Sequence, residues 1–218
     1  MGQSIAFFDL DRTVLATNSA THWVRREVRL GHLKMRDAAR AALWIALYQA
    51  GFAKMDATIR DAVTTLKNTR ETDLRERTQS FWDEIIAGRV RPGAVRSIRE
   101  HREAGERLAL LTTSSIYLAE VVAEALGMDD VLANRFEVID GVFTGLPVEP
   151  LCFGAGKLVY AQRLAEQTGA DLKDCTFYTD SFSDLPAMEG IGKPVAVHPD
   201  PRLARTAKKR GWPIVDWD

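Results

Sequence analysis

Residues 5–8, Ile-Ala-Phe-Phe, are apolar on both faces that an extended chain presents, and Asp9 and Asp11 follow at once. A run of this kind suits a strand sheltered on both sides, as at the centre of a parallel sheet. Its far end then places two carboxylates close together, where their charges repel unless a cation offsets them.

The rest of the chain supplies such a sheet. From residue 89 onward the spacing predicts a helix over 93–104, a strand in "RLALLTTSS" and a helix over 116–126. Next comes a hairpin in "RFEVIDGVFTG" with Asp140-Gly141 at its turn, followed by a helix over 156–168. The strands "CTFYT" and "PVAVH", a short helix between them, a helix over 200–210 and a last strand near "PIVD" complete the set. Strands alternating with helices predict an α/β fold, a Rossmann-like parallel sheet core with helices on both faces.

Residues 17–88 read differently. Segments near 17–30, 34–50, 56–68 and 71–87 carry apolar residues at helical spacing, as expected of a small bundle of about four helices. "GRVRPGA" at 88–94 has the Gly and Pro punctuation of a boundary. The predicted division is therefore a core of residues 1–15 and 89–218, with a helical cap of residues 16–88 inserted after the first strand. No internal repeat is visible.

A chain of 218 residues, 46% of them hydrophobic, can bury a core of this size. Its 29 basic and 30 acidic residues give a net charge of −1, so the overall balance offers no attraction for nucleic acid and predicts no stable membrane association. Cys152 and Cys175 offer no disulfide framework and read as small buried apolar residues. With no leader or spanning stretch, the expected location is the cytoplasm. Oligomeric state has no signal in the sequence.

In open α/β sheets the ligand site lies beyond the carboxyl ends of the strands. The residues found there are Asp9 and Asp11 after the first strand, Thr112, Thr113 and Ser114 after the second, and Asp180, Ser181 and Asp184 after "CTFYT". Lys157 opens the helix at "GAGK". Carboxylates gathered without His or Cys favour a hard cation, Mg²⁺, and hydroxyls with one lysine suit the oxygens of a phosphoryl group. Each residue also has a plainer role. Asp9, Asp11 or Asp184 could cap a helix, Thr112 and Thr113 could end a strand and cap the helix at 116, and Lys157 could be solvated.

"DLDRT", "LALLTTS", the Gly-Lys pair and "DSFSD" in this order resemble the four motifs of the haloacid dehalogenase superfamily of phosphohydrolases. The helical insertion after the first motif is similar to the C1 cap of its phosphoserine-phosphatase-like branch, subfamily IB. The resemblance implies Asp9 as the nucleophile that forms an aspartyl-phosphate and Asp11 as general acid and then base. It implies Mg²⁺ held by Asp9, the Asp11 backbone carbonyl and Asp180, with Asp184 supporting it, and phosphate binding by Thr112, Thr113 and Lys157. Thr13 would order the loop around Asp11. The implied function is Mg²⁺-dependent hydrolysis of a small-molecule phosphate ester. A phosphotransferase or phosphomutase on the same site, and a non-catalytic phosphate-binding or phosphoacceptor signalling module, are the alternatives. Where phosphoserine phosphatases carry a glutamate nine residues after the nucleophile, this chain has Asn18, which speaks against phosphoserine as substrate.

Two stretches of the cap stand apart. Residues 22–40 hold six Lys or Arg against two acids, either a solvated helix face or a means of recruiting a multiply charged substrate. Residues 41–53 are nearly free of charge and place Trp44, Tyr48 and Phe52 on one stripe, which reads first as packing within the bundle. Arg12 reads as a loop residue facing solvent or the cap, and His198 as structural.

Overall fold

A computed structural model of the protein describes residues 4–36, 39 and 55–218. Most of the helix expected near 34–50, and the stretch 41–53 with Trp44, Tyr48 and Phe52, lie outside the described residues.

Strand β1 (Ile5–Phe8) is central, as its composition requires. It pairs in parallel with β2 (Arg107–Ser115) on one side, and β2 in turn with β3 (Asp130–Asn134). An antiparallel hairpin of β4 (Phe136–Ile139) and β5 (Val142–Pro147) follows and stays outside this sheet. On the other side of β1 come β6 (Thr176–Thr179), β7 (Lys193–Val197) and β8 (Ile214–Val215), giving a six-stranded parallel sheet of order β3-β2-β1-β6-β7-β8. Ile5 and Phe7 project into one apolar cluster with Ala109, Leu111 and Phe177, whereas Ala6 and Phe8 project into another with Leu108 and Leu110. Two buried faces explain why β1 shows no polar alternation. Each buried Phe contributes roughly 1.5–3 kcal/mol.

Between β1 and β2 the described chain is helical: α1 (Ser19–Arg29), α2 (Met55–Thr64) and α3 (Glu71–Phe81), then α4 (Pro92–Glu103), which leads into β2. The helix expected over 71–87 stops at Phe81; a wider turn and a tight one carry the chain to Arg89 while keeping Trp82 and Ile86 buried. The segment leaves and returns at one place. Leu15 pairs with Val90, the Ala16 N–H donates to the Arg89 carbonyl at 2.8 Å, and the Arg91 N–H donates to the Val14 carbonyl at 2.9 Å.

Helix α5 (Ile116–Leu126) links β2 to β3, a strand the sequence reading leaves out. The hairpin packs on the helical side: Arg70 pairs with Val142, and the Phe143 N–H donates to the Thr69 carbonyl at 2.9 Å. Helix α6 (Ala155–Thr168), short α7 (Leu185–Gly190) and α8 (Pro201–Arg210) complete the layers. Cys152 and Cys175 are free and buried, as expected. Among the described residues no helix is long and apolar enough to cross a membrane.

Candidate active site

Register brings the polar strand ends together. Phe8 faces Leu110 on one neighbour and Tyr178 on the other, so Asp9, Thr112 and Asp180 each stand one or two residues past the same level. The Asp9 N–H donates to the Tyr178 carbonyl at 2.9 Å, holding its side chain at the rim of the sheet. Beyond it, Leu10–Val14 forms one irregular turn closed by Leu15 N–H to the Leu10 carbonyl at 2.9 Å. Arg12 at its centre has φ 61°, a left-handed conformation costly for a residue with a Cβ, and its side chain is exposed.

Lys157 is at the centre. It is 1% exposed, and its Nζ donates to Asp9 Oδ1 and to Asp184 Oδ2, both at 2.7 Å. Oδ2 of Asp184 also accepts the Thr179 hydroxyl at 2.7 Å, and Thr13 Oγ1 donates to Asp9 Oδ2 at 3.4 Å. Burial works against the ammonium, but Asp184 and Asp9 outweigh it and raise its pKa, so Lys157 stays charged. The close approach of α6 depends on Gly156: a Cβ there would lie 2.0 Å from the Leu151 carbonyl oxygen.

One buried ammonium does not balance three buried carboxylates. Asp9 is pushed up to about 7, first by burial and then by Asp184, with Lys157 opposing. Asp180 is pushed up to about 8 by burial, with Asp9 and Asp184 adding to it. No hydrogen-bond donor among the described residues reaches the Asp180 carboxylate. Asp180 is 7% exposed and near enough to Asp9 and Asp184 to feel their charges, and carboxylate oxygens are the donor type that a hard divalent cation such as Mg²⁺ takes.

Asp11 is half-buried and turned toward the insertion, where its Oδ1 accepts the Ser19 N–H at the start of α1 at 2.7 Å. Burial raises its pKa against that hydrogen bond. The N-cap of α1 is Asn18, with Asp11 an added acceptor for the first N–H of that helix, and Asp184 precedes α7 without capping it through its side chain. Ser115, rather than Thr112 or Thr113, caps α5 by accepting the Leu118 N–H. Thr112 is buried and its Oγ1 accepts the Ser114 N–H at 3.1 Å. The Thr113 carbonyl accepts Asn134 Nδ2 at 2.6 Å.

Three supporting residues, Asn134, Thr179 and Asp200, have no assigned role in the sequence reading. Asn134 ends β3, and its Oδ1 also accepts the Cys152 N–H at 2.8 Å, joining the loop before α6 to the end of β2. Thr179 positions Asp184. Thr13, expected to order the loop around Asp11, lies within that irregular turn and donates to Asp9. Asp200 accepts the Phe182 N–H at 2.6 Å, while its own N–H donates to the Asp180 carbonyl at 2.8 Å. An Asp-Pro pair opening a helix marks Asp200 as an N-cap, the signal by which it is detectable.

The model of the family described as haloacid dehalogenase-like hydrolase matches residues 6–189. Phosphoserine phosphatase SerB1 of Mycobacterium tuberculosis is 33% identical over 220 residues, covering 97% of this chain and 70% of the relative. Histidinol-phosphatase of Neisseria meningitidis is 26% identical over 220 residues, covering 99% of each. A crystal structure of a protein of unknown function from Bordetella pertussis superposes with a TM-score of 0.92 at 27% identity, covering 100% of both chains.

Proposed function

The chain belongs to the haloacid dehalogenase-like hydrolases, in their phosphoserine-phosphatase-like branch, and on that premise we propose that it is a Mg²⁺-dependent phosphatase of small phosphomonoesters. The single observation that carries this reading is the buried cluster of Asp9, Asp180 and Asp184 about the one ammonium of Lys157. Such an excess of buried carboxylate is relieved by bound protons or by a further cation, and that cation together with Lys157 would neutralise an incoming phosphate dianion.

In this reading Asp9, the Asp11 backbone carbonyl, Asp180 and Asp184 hold Mg²⁺. When bound, it withdraws charge from the phosphoryl oxygens and lets a carboxylate approach phosphorus. An Asp9 carboxylate oxygen forms a bond to phosphorus as the bond to the leaving alcohol oxygen breaks. Asp11 gives that oxygen its proton. Water then loses a proton to Asp11 and attacks phosphorus, releasing inorganic phosphate and restoring the Asp9 carboxylate. The raised pKa of Asp11 suits a group that must carry a proton at one step and accept one at the next. Thr112, the Thr113 N–H and Lys157 bind the phosphoryl oxygens, and residues 16–88 act as a cap excluding water. The Ser19 to Asp11 hydrogen bond would couple that cap to the acid.

The test is hydrolysis of p-nitrophenyl phosphate by the purified protein. Turnover should require Mg²⁺, cease with EDTA, and fall by at least ~10³-fold in Asp9→Asn. Metal-dependent turnover persisting in that variant would exclude Asp9 as nucleophile.

A further inference from the structure

Beside the acid cluster lies a cleft of the opposite charge. A cavity of about 420 Å³ opens between the turn after β1, the first turns of α1, the residue preceding α4 and the loop after β7. Arg12, Arg25 and Arg91 line it with His22 and His198, and its other described lining residues are neutral. No carboxylate is among them. Three arginines lining one space, of which Arg91 alone has a carboxylate partner in Asp218, leave an excess of positive charge that an anion there would offset.

Asp218 and Asp216 lie against Arg91 and His198 at one side of the cleft, and the other two arginines, Arg12 and Arg25, are exposed and without such partners among the described residues. Arg91 is 8% exposed and pairs with Asp218, yet its Nε is buried without a hydrogen-bond partner. A buried donor left unpaired in this way is costly, and Arg91 is the lining residue that carries it. The cleft also abuts the reacting groups. Arg12 directly follows Asp11, and Asp180, pushed up chiefly by burial, is partly held back by the Arg12 charge. Asn18, on the cleft wall, spends its Oδ1 on the Thr21 N–H at 3.0 Å and the Thr21 hydroxyl at 3.1 Å, so it does not supply a counter-charge for an ammonium.

We propose that this cleft is the substrate's second anchoring point, and that it selects phosphomonoesters whose organic part ends in another anion, a carboxylate or a second phosphate. The inference rests on the phosphatase reading and narrows its substrate class. It sets this chain apart from enzymes of histidinol phosphate, whose substrate has an ammonium and no second anion; phosphoserine keeps a carboxylate for the cleft but would find no counter-charge for its ammonium at Asn18. It also gives Arg25, within the basic stretch 22–40, a role beyond a solvated face.

The test uses non-hydrolysable alkylphosphonates with chains of two to five carbons ending in a carboxylate, a second phosphonate, a methyl or an ammonium. They are titrated calorimetrically into the wild-type protein with Mg²⁺. At the best chain length the anionic ends should bind about tenfold or more tighter than the methyl end, and the ammonium end weakest. Comparison of the carboxylate and phosphonate ends identifies which anion the cleft prefers. Arg25→Gln, at an exposed helix position, should reduce the anion-to-methyl ratio by about fivefold or more, and Arg25→Lys should restore part of it. Equal binding of all four ends, preference for the ammonium, or a ratio unchanged in Arg25→Gln would overturn the proposal. Loss of the phosphatase reading is a separate result, seen as no hydrolysis of p-nitrophenyl phosphate, and the phosphonate titration decides the cleft's preference either way.

Discussion

Lys157 shows how one residue can be both structural and chemical. Its ammonium is tolerated in the interior only because Asp9 and Asp184 meet it at 2.7 Å, and they in turn are held close only because it is there. Lys157→Met should therefore leave two facing buried carboxylates and lower metal-free stability by about 3–5 kcal/mol, read from urea denaturation. The acids give a second expectation. Asp9 rises from 3.8 to about 7 and Asp180 from 3.8 to about 8 on folding, both driven first by burial. Values above those of the unfolded chain mean that the folded protein holds protons the unfolded chain has released. This contribution to stability is complete below pH ~4 and is lost as pH rises toward ~8. Urea midpoints of the metal-free protein should fall between pH 5 and pH 8 through these groups, and saturating Mg²⁺ should flatten the slope. Asp9, Asp11 and Asp180 were legible because a strand end is a local feature of sequence. Thr179 and Asn134 were not, since their partners are brought to them only by the folded strands and loops.

Elements place these residues through a few contacts that can be broken one at a time. Asp200 caps α8, accepting the Arg202 and Leu203 N–H groups at 2.7 and 2.9 Å, and its other oxygen takes the Phe182 N–H. Asp200→Ala should cost roughly 1–2 kcal/mol as a lost cap. It should also raise the Mg²⁺ concentration needed for half-maximal activity, because the loop bearing Asp180 loses an anchor; Asp200→Asn, with one carbonyl oxygen left to accept, should recover the cap but not the Phe182 anchor. Gly156→Ala should be worse than its size suggests, since the added Cβ meets the Leu151 carbonyl and shifts the first turn of α6, which carries Lys157. Thermal unfolding and p-nitrophenyl phosphate turnover should fall together. The helices of the α/β portion were legible from their apolar spacing, within a residue or two of their observed ends. Strand β3 was not: its five residues hold too little apolar sequence to stand out, and what makes it a strand is the exposed edge of β2.

At the scale of the molecule, β1 sits between β2 and β6, partners about a hundred and more residues away in the chain. A binding ion that joins the start of the chain to the loop after β6 therefore ties distant segments. Mg²⁺ at 100 times its dissociation constant should add about 2.7 kcal/mol to unfolding, seen as a concentration-dependent rise in melting temperature that EDTA reverses. The α/β architecture with its helical insertion was legible because the two halves differ in periodicity. That the β4–β5 hairpin rests against the helical side was not, because its contacts at Thr69 and Arg70 are tertiary. The pairing of Leu15 with Val90 has an evolutionary corollary. Two adjacent threads can suspend a long excursion almost as cheaply as a short one, each doubling of its length adding only ~0.6 kcal/mol of closure entropy. Lineages are thus free to trade one excursion for another, altering what is recognised above the sheet while the reacting groups beneath stay put.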